Sequence, residues 1–407
     1  MYLRIAWRNI WRNPRRTTVI LTAVIIGVWS MICLGALMRG IVDQMIRNGI
    51  STLTGHIQIH QKGYREDPVV ENSIGNPKAV LGFLQDRISR GARWTVRVRV
   101  NGVATNARHS SGVTLVGTVP EKEAKVSFIY KAVTEGRYLR PGDRHGIIIG
   151  KALAEKFDTR LGRKLVLMCQ DATGEIASRA FRIVGVFKAE MEATEEQYVF
   201  VSLSAAREML KMGEGISEIS IVLTERENVH QVAGSLKDVL DPSIYVVHTW
   251  EELLPMVSAV QKLYEWFIFI WYLVVFVAMA FGIVNTMLMA VFERIREFGL
   301  LRALGMRPGG IVKEVLTETS FLLMAGMIIG NIAGFVTVAF LAAKGIDLSA
   351  MAEGLEYAGM SRVIFPSIKA KDVALANLVV FFLGLTVSIY PALKAARFKP
   401  VEAMRYT

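Results

Sequence analysis

The chain has 407 residues, of which 52% are hydrophobic and 21% are charged, and this composition is typical of a membrane protein. Its formal net charge of +12 resembles that of a nucleic-acid-binding protein. However, much of the positive excess lies in the terminal segments 1–16 and 394–407, which flank apolar runs, so we exclude nucleic acid as a partner.

Four runs without charged residues are each long enough to span a bilayer, which needs about 20 helical residues. They cover residues 17–38, 266–292, 319–343 and 373–393. Because Lys and Arg accumulate on the cytoplasmic side of membrane proteins, the basic tails place both termini in the cytoplasm. The sequence therefore predicts a multi-pass α-helical membrane protein with four transmembrane helices and a large extracytoplasmic α+β domain between helices 1 and 2.

The N-terminal segment 1–16 is predicted to form a cytoplasmic amphipathic helix on the membrane surface. Trp7 and Trp11 lie on its apolar face, and Arg8 and Arg12 line its flank. Tryptophan and arginine at these positions suit the headgroup region of the bilayer. We expect these four residues to be membrane-interface anchors.

Helical apolar periodicity continues beyond the first span and begins before the second span. We therefore expect residues 17–50 to form the first transmembrane helix with a stalk, and residues 251–292 to form a stalk with the second transmembrane helix. Such long helices are suited to carrying motion across the membrane.

Residues 51–250 alternate strand and helix patterns and are expected to form a periplasmic α+β domain with two subdomains. The first and last strand-helix-strand sets resemble each other, which predicts two β-α-β halves in one subdomain and a strand-rich insertion between them. The predicted strands are 53–60, 95–104, 113–119, 163–168, 181–186, 198–201, 216–224 and 244–248. The predicted helices are 76–89, 151–157, 204–212 and 228–240.

Several chemistry-bearing side chains of this domain are interpreted as structural. His56 and His60 are expected on one exposed strand face, without a bound metal. Cys33 and Cys169 lie in different segments and are not expected to form a disulfide. The acidic side chains that we place in a solvated hairpin loop are Glu190, Glu192, Glu195 and Glu196.

The segment 293–314 is charged and lies between two apolar runs, so it must sit at a membrane surface. It is predicted to be a short cytoplasmic helix, which Pro308 and the neighbouring glycines break. A short helix held between two spans is suited to docking on a soluble partner.

The remaining segments complete the membrane layout. Residues 315–343 are the predicted third transmembrane helix, 344–372 a periplasmic loop, 373–393 the fourth transmembrane helix and 394–407 a cytoplasmic tail. Small residues spaced by four allow close helix packing in a bilayer. The glycines with this spacing in the third span are Gly326, Gly330 and Gly334.

Three polar residues stand out in or beside the spans. Asn285 and Asn331 are expected to make interhelical hydrogen bonds rather than a transport site. Glu318, at the inner start of the third span, is expected either to pair with a neighbouring arginine or to face a partner.

The chain lacks the motifs that would mark it as an enzyme. It contains no G-x-x-x-x-G-K-[ST], H-E-x-x-H, C-x-x-C or G-x-S-x-G sequence. We therefore expect no catalysis, no bound cofactor and no metal. Any energy for work would come from another subunit.

Several phrases resemble one family of membrane proteins. AWRNIWRNPRRT near the start, ERIREFGLLRALGMRPGGI after the second span and PALKAARFKPVEAMR at the end resemble the FtsX/MacB/LolC-LolE superfamily of ABC transporter permeases. The phrases GRYLRPGDRHGIIIGKALAEKF, FRIVGVF and HTWEELLP are similar to the lipoprotein-releasing LolC and LolE branch. The resemblance covers nearly the whole chain.

This resemblance implies mechanotransmission by a dimer of permeases, either homodimer or heterodimer, on two copies of a separate ATPase that binds ATP and Mg. It implies a cargo of lipoproteins or similar amphiphiles in the lipid bilayer, passed to a periplasmic carrier or adaptor. It also maps a coupling helix onto this chain. The residues implied for ATPase coupling are Glu293, Arg294, Arg296, Glu297, Leu300, Leu301, Arg302, Leu304 and Gly305.

Two alternatives stay open within the resemblance. One is a MacB-like efflux permease for drugs, peptides or lipids that works with a periplasmic adaptor. The other is an FtsX-like transmembrane signalling protein that controls a cell-wall hydrolase. LolC members carry a long hairpin with proline for carrier recruitment, whereas the corresponding stretch here, CQDATGEIAS, is short and lacks proline.

Overall fold

The computed structural model of the chain describes residues 12–87, 92–224, 228–348 and 363–398. These residues divide into two compact units. The helical unit contains 12–43, 260–348 and 363–398, and the α+β unit contains 44–259. The predicted anchors Trp7, Arg8 and Trp11 lie outside the described residues, as do parts of the 344–372 loop and of the C-terminal tail.

Helices and strands follow one another along the chain. They are α1 (Pro14–Gly49) with a π-helical turn (Ile50–Thr54), β1 (Ile57–Gln61), a 3₁₀ turn (Val70–Asn72), α2 (Lys78–Arg87), β2 (Arg93–Thr105), β3 (Ser110–Thr118), α3 (Pro120–Glu123), α4 (Ile129–Ala132), β4 (Val133–Gly136), β5 (Gly146–Gly150), α5 (Lys151–Lys156), β6 (Lys164–Gln170), β7 (Ile176–Phe187), α6 (Glu192–Gln197), β8 (Tyr198–Ser202), α7 (Leu203–Met209), β9 (Glu218–Val222), α8 (Val229–Val239), β10 (Tyr245–Thr249), α9 (Trp250–Leu253), α10 (Pro255–Glu293), α11 (Ile295–Ala303), α12 (Pro308–Lys344), β11 (Ile346–Asp347), β12 (Val363–Ile364) and α13 (Ala370–Ala396).

Among the described residues, four helices, α1, α10, α12 and α13, are long and apolar enough to cross a membrane. With 36 and 39 residues, α1 and α10 are also longer than the roughly 20 residues that a bilayer core requires. This confirms the predicted class of four transmembrane helices with a large α+β domain between the first and the second.

Close contact between α1 and α12 depends on glycine. A Cβ atom at Gly330 would lie 2.9 Å from Val28 Cβ and 3.0 Å from the carbonyl oxygen of Ile25. Any side chain there would push the two helices apart. All three spaced glycines of α12 face branched side chains of α1, which are Val24, Val28 and Ile32.

A second contact joins α12 and α13 through amides. Asn331 and Asn377 exchange two hydrogen bonds, with N–O distances of 2.7 and 3.0 Å. Each amide thus has a donor and an acceptor partner inside the helical unit. The predicted interhelical role of Asn331 is confirmed.

In the described part of the α+β unit, ten strands form one mixed sheet. Four of its strands lie in the order β10-β1-β9-β2, and all their pairings are antiparallel. The sets β1-α2-β2 and β9-α8-β10 therefore interleave, each placing a strand between the two strands of the other. This is the pair of β-α-β halves that the sequence predicts.

The other strands form the strand-rich insertion. From β3 the sheet continues through β8, β5, β7 and β4, while β6 pairs with β2 and β7. The 13-residue strand β2 belongs to both parts, because Arg93–Arg97 pair with β9 and later residues pair with β3 and β6. The two parts of the unit thus share one continuous strand.

A buried arginine ties the π-helical turn to this sheet. Arg97 on β2 is fully buried, and its Nε and Nη2 atoms donate to Glu123 at 3.0 and 2.8 Å. Its Nη1 atom donates to Glu218 at 2.9 Å and also to the carbonyl oxygen of Leu53. One guanidinium therefore joins two carboxylates and the last turn that follows α1.

Three sequence predictions for this unit are wrong. Residues 53–56 are not part of the first strand, which begins at Ile57 after the π-helical turn. His60 is buried rather than exposed, and it lies 3.8 Å from the buried carboxylate of Glu218. The expected acidic loop contains helix α6, in which Glu195 is buried and accepts the backbone N–H groups of Ala152 and Ala189.

Candidate functional site

The short helix α11 is defined by breaks at both ends. Arg294 leaves the helical conformation after α10, with φ −105° and ψ 19°. Gly305 follows α11 with a φ of +93°, a region that favours glycine, and Pro308 begins α12. The predicted helix 293–314 is therefore three pieces: the end of α10, the nine-residue α11 and the first turns of α12.

The two faces of α11 have different surroundings. Ile295 and Phe298 are 3% and 1% exposed and pack into the core of the helical unit. On the other face Leu300 and Leu304 are 55% and 77% exposed, and Arg296 is also exposed. The exposed leucines lie one turn apart and form a small apolar patch beside a cation.

Arg294 sits at the centre of a cluster of charges behind α11. Its guanidinium donates to Glu297 at 2.9 Å and to Glu314 and Glu318 at 3.0 Å each. Glu314 and Glu318 are both buried, and Glu318 also accepts a hydrogen bond from Arg16. The cluster thus connects the start of α1, the junction before α11 and the first turns of α12.

Arg294 and Glu297 keep their charges although both are partly buried. Burial by itself lowers the pKa of Arg294, but its hydrogen bond to Glu297 and the nearby carboxylates raise that pKa above the ordinary value. Burial by itself raises the pKa of Glu297, yet hydrogen bonds from Arg12 and Arg294 lower it below its usual range. The ion pair between Arg294 and Glu297 therefore persists at neutral pH.

Further contacts hold the ends of the segment. Arg302 donates from Nη1 to the carbonyl oxygen of Ala396, in the last turn of α13, at 2.7 Å. Asn13 donates to Glu293 at 3.1 Å. Elements from the start and from the end of the chain therefore both fix the position of α11.

The nine residues implied for ATPase coupling separate into two groups. Those with contacts inside the helical unit are Glu293, Arg294, Glu297, Leu301 and Arg302. Those that are exposed and make no side-chain hydrogen bond or ion pair among the described residues are Arg296, Leu300, Leu304 and Gly305. The first group can orient α11, and the second group is open to solvent.

Sequence reasoning missed two members of the charge cluster. Arg16 belongs to the N-terminal segment 1–16 that is predicted to lie on the membrane surface, yet only 7% of its side chain is exposed. Glu314 and Glu318 are four residues apart on α12, and this spacing on one helical face could have indicated a shared cation. Glu318 pairs with arginines, which is one of its two expected outcomes.

Two family models match the chain. The MacB-like periplasmic core domain matches residues 17–239, and the FtsX-like permease C-terminal domain matches residues 268–400. The first match covers more than half of the 407 residues. Together the two models account for both units.

The chain is also similar to individual proteins. The lipoprotein-releasing system transmembrane protein LolC of Neisseria meningitidis is 23% identical over 424 aligned positions, which cover 100% of this chain and 97% of LolC. The macrolide export protein MacB of Chlorobaculum tepidum is 37% identical over 125 positions, 31% of this chain and 17% of MacB. The periplasmic region of MacB from Actinobacillus actinomycetemcomitans aligns with 53% of this chain and 98% of its own length, at 14% identity and a TM-score of 0.38.

Proposed function

The chain belongs to the FtsX/MacB/LolC superfamily of ABC transporter permeases, and from this premise we propose that it releases lipoproteins or similar amphiphiles from the inner membrane by mechanotransmission. As a permease it is a transport component rather than an enzyme. A separate ATPase subunit supplies the energy and holds ATP and Mg. Full-length similarity to LolC supports this cargo class.

The orientation of the protein follows from its charge distribution. Five arginines and no acidic residue precede the first span, so the N-terminus lies in the cytoplasm. With four spans, α11 then also lies on the cytoplasmic side, and the α+β unit lies in the periplasm. This places the exposed face of α11 on the side where ATP is available.

The observation that carries the proposal is the contrast between the two sides of α11. Leu304 is 77% exposed, whereas Arg294 behind it is bound by three carboxylates. A partner that pushes on the leucine face therefore pushes on a helix whose base is fixed to α1 and α12. The force reaches the long helices instead of being lost in bending of a loop.

The test uses complementation in cells depleted of this protein. Leu304→Asp should abolish lipoprotein release from spheroplasts into periplasmic extract and should remove the ATPase activity that co-purifies with the permease. Ile176→Asp is a matched control, because Ile176 is 75% exposed and lies in the α+β unit. The control should retain co-purifying ATPase activity.

Three results would count against the proposal. If Leu304→Asp keeps full release and full ATPase association, α11 does not couple the subunits. If ATPase association depends on Leu304 but depletion leaves lipoprotein release unchanged, the cargo assignment fails while the coupling assignment stands. If neither activity depends on the protein, both assignments fail.

A further inference from the structure

The segment VRVRVN, residues 96–101, gives strand β2 one apolar face and one polar face. Its three valines are buried in the core of the α+β unit. Arg97, Arg99 and Asn101 alternate with them and share the opposite face, because side chains two residues apart point to the same side of a strand. This sequence therefore places two arginines and an amide in a row on one side of the sheet.

Neighbouring strands continue the polar face. Glu218 on β9 lies opposite Arg97 in the ladder, and Thr114 on β3 lies opposite Asn101. Tyr198 on β8 pairs in turn with Thr114. A cavity of about 580 Å³ lies over this face of the sheet, and pockets for small molecules usually measure roughly 300–1,000 Å³.

The other sides of the cavity are formed by turns and short helices of the same unit. They are the π-helical turn, the loop after β1, helix α6 and the end of α9. Many of the side chains there carry hydroxyl or amide groups, which both donate and accept hydrogen bonds and so suit a ligand with hydroxyl groups. The lining residues of this kind outside β2, β3 and β8 are Thr52, Thr54, Gln58, Thr194 and Gln197.

Arg99 brings a largely unused guanidinium to the cavity. Its Nη2 atom donates to the hydroxyl oxygen of Tyr198 at 3.1 Å, and within the described part of the chain this guanidinium makes no other hydrogen bond. Its Nη1 atom lies 3.9 Å from Glu218, which is too far for a hydrogen bond, and Glu218 is already bound by Arg97 at 2.9 Å. Because a guanidinium has five N–H groups, most donors of Arg99 remain for a ligand.

The charges around the cavity favour a ligand with a single negative charge. Among the described lining residues, the charged ones are Arg65, Arg99 and Glu218. Behind Glu218, the charges of Arg97 and Glu123 offset each other, so with His60 neutral an excess of one positive charge remains. A carboxylate matches this excess, whereas a phosphate monoester, with a charge of about −1.5 to −2, exceeds it.

We propose that this cavity binds a small hydroxylated carboxylic acid of the size of a sugar acid, with its carboxylate on Arg99. The planar guanidinium can donate two parallel hydrogen bonds to the two oxygens of a carboxylate. The amide oxygen of Asn101 accepts the hydroxyl of Thr114 at 3.1 Å, which leaves the N–H groups of Asn101 to donate to the ligand. This site goes beyond the proposed function and does not rest on it.

The test is titration calorimetry of the full chain in detergent with three hexoses that differ in one group. Glucuronate carries a carboxylate, glucose is neutral at the same position, and glucose 6-phosphate carries a phosphate monoester there. Glucuronate should bind the parent chain with a Kd of about 1 mM or below, and about tenfold more tightly than either of the other two sugars.

Variants of the lining residues show whether binding takes place in this cavity. Arg99→Gln should weaken glucuronate binding about tenfold or more, because it removes a charge-assisted hydrogen bond. Arg108→Gln is the matched control and should bind as the parent does, since Arg108 lies outside the cavity and 79% of its side chain is exposed. Tyr198→Phe keeps the ring, removes the hydroxyl beside Arg99 and should weaken binding about threefold or more, which gives a second test if Arg99→Gln does not fold.

Four results would overturn the proposal. They are no binding of glucuronate to the parent chain, equal binding of glucose, tighter binding of glucose 6-phosphate, and glucuronate binding that neither Arg99→Gln nor Tyr198→Phe weakens. None of these measurements involves the ATPase, cargo release or α11. This proposal and the proposed function can therefore fail separately.

Discussion

Replacing Arg97 by methionine tests whether the buried charges of the α+β unit stabilise it. The change leaves the carboxylates of Glu123 and Glu218 buried without their main cation, and removing one partner of a buried ion pair costs about 3–5 kcal/mol. The pKa of Glu218 agrees in direction. Burial raises its pKa, but contact with His60 and the charges of Arg97 and Arg99 lower it from 4.5 to about 2. At about 1.4 kcal/mol per pKa unit, that fall corresponds to about 3 kcal/mol, which His60, Arg97 and Arg99 share.

The sign of the pH dependence follows from the same carboxylate. In the parent protein the pKa of Glu218 is lowered by folding, so its contribution is complete above about pH 5 and is lost as the pH falls toward 2. In Arg97→Met the carboxylate of Glu218 is still buried but has lost the charge of Arg97, so burial raises its pKa. The variant therefore gains stability as the pH falls from 7 toward 5. The difference between the two proteins should therefore be largest at neutral pH.

The assay is urea unfolding of the full chain in detergent, followed by hydrogen exchange of peptides from β2. We expect Arg97→Met to lose about 3 kcal/mol of unfolding free energy at pH 7. Arg99→Met is the matched control, with a smaller loss expected because 32% of the Arg99 side chain is exposed. A loss below about 1 kcal/mol at pH 7, or a loss that grows as the pH falls to 5, would refute the reasoning.

Two further predictions concern the helical unit. Gly330→Val should lower the thermal unfolding temperature of the full chain in detergent, because the new side chain would overlap Val28 at a cost of about 1–3 kcal/mol. Gly309→Ala is the control and should change this temperature little, because a Cβ atom at Gly309 meets nothing within 4 Å. Asn331→Leu and Asn377→Leu should each destabilise the protein by about 1 kcal/mol, and the double variant should lose less than the sum of the two. Additive losses would mean that the two amides do not depend on each other.

Long, periodic signals gave the fold class from the sequence. Four apolar runs predicted four spans because a bilayer sets their length, and alternation of apolar residues indicated most strands of the α+β unit. The run GIIIG of β5 was missed because it is short and apolar on both faces, which gives no alternation. Helix α6 was missed because its glutamates suggested a solvated loop, whereas Glu195 is buried and accepts the backbone N–H groups of Ala152 on α5 and of Ala189, six residues before it.

The sequence predicted where the candidate site lies in the chain, but not which of its residues are exposed and which are buried. The charged segment between two apolar runs could lie only at a membrane surface, so its location was accessible from the sequence. Which residues face outward depends on the break at Arg294 and on partners far along the chain, such as Ala396. The resemblance implies ATPase coupling for Leu301 as well as for Leu300 and Leu304, but Leu301 packs against the core of the helical unit.

Buried arginines bind near both ends of the helical segment Pro14–Thr54, which has 41 residues. Near its start, Arg16 donates to Glu318 within the helical unit, and near its end the carbonyl oxygen of Leu53 accepts a hydrogen bond from Arg97 within the α+β unit. A helix can pass a displacement between two domains only if each of its ends is held by the domain there. A guanidinium with several buried partners holds a helix end more firmly than an exposed ion pair does. On the proposed mechanism, loosening either cluster should therefore reduce release by the intact transporter even where ATP hydrolysis continues.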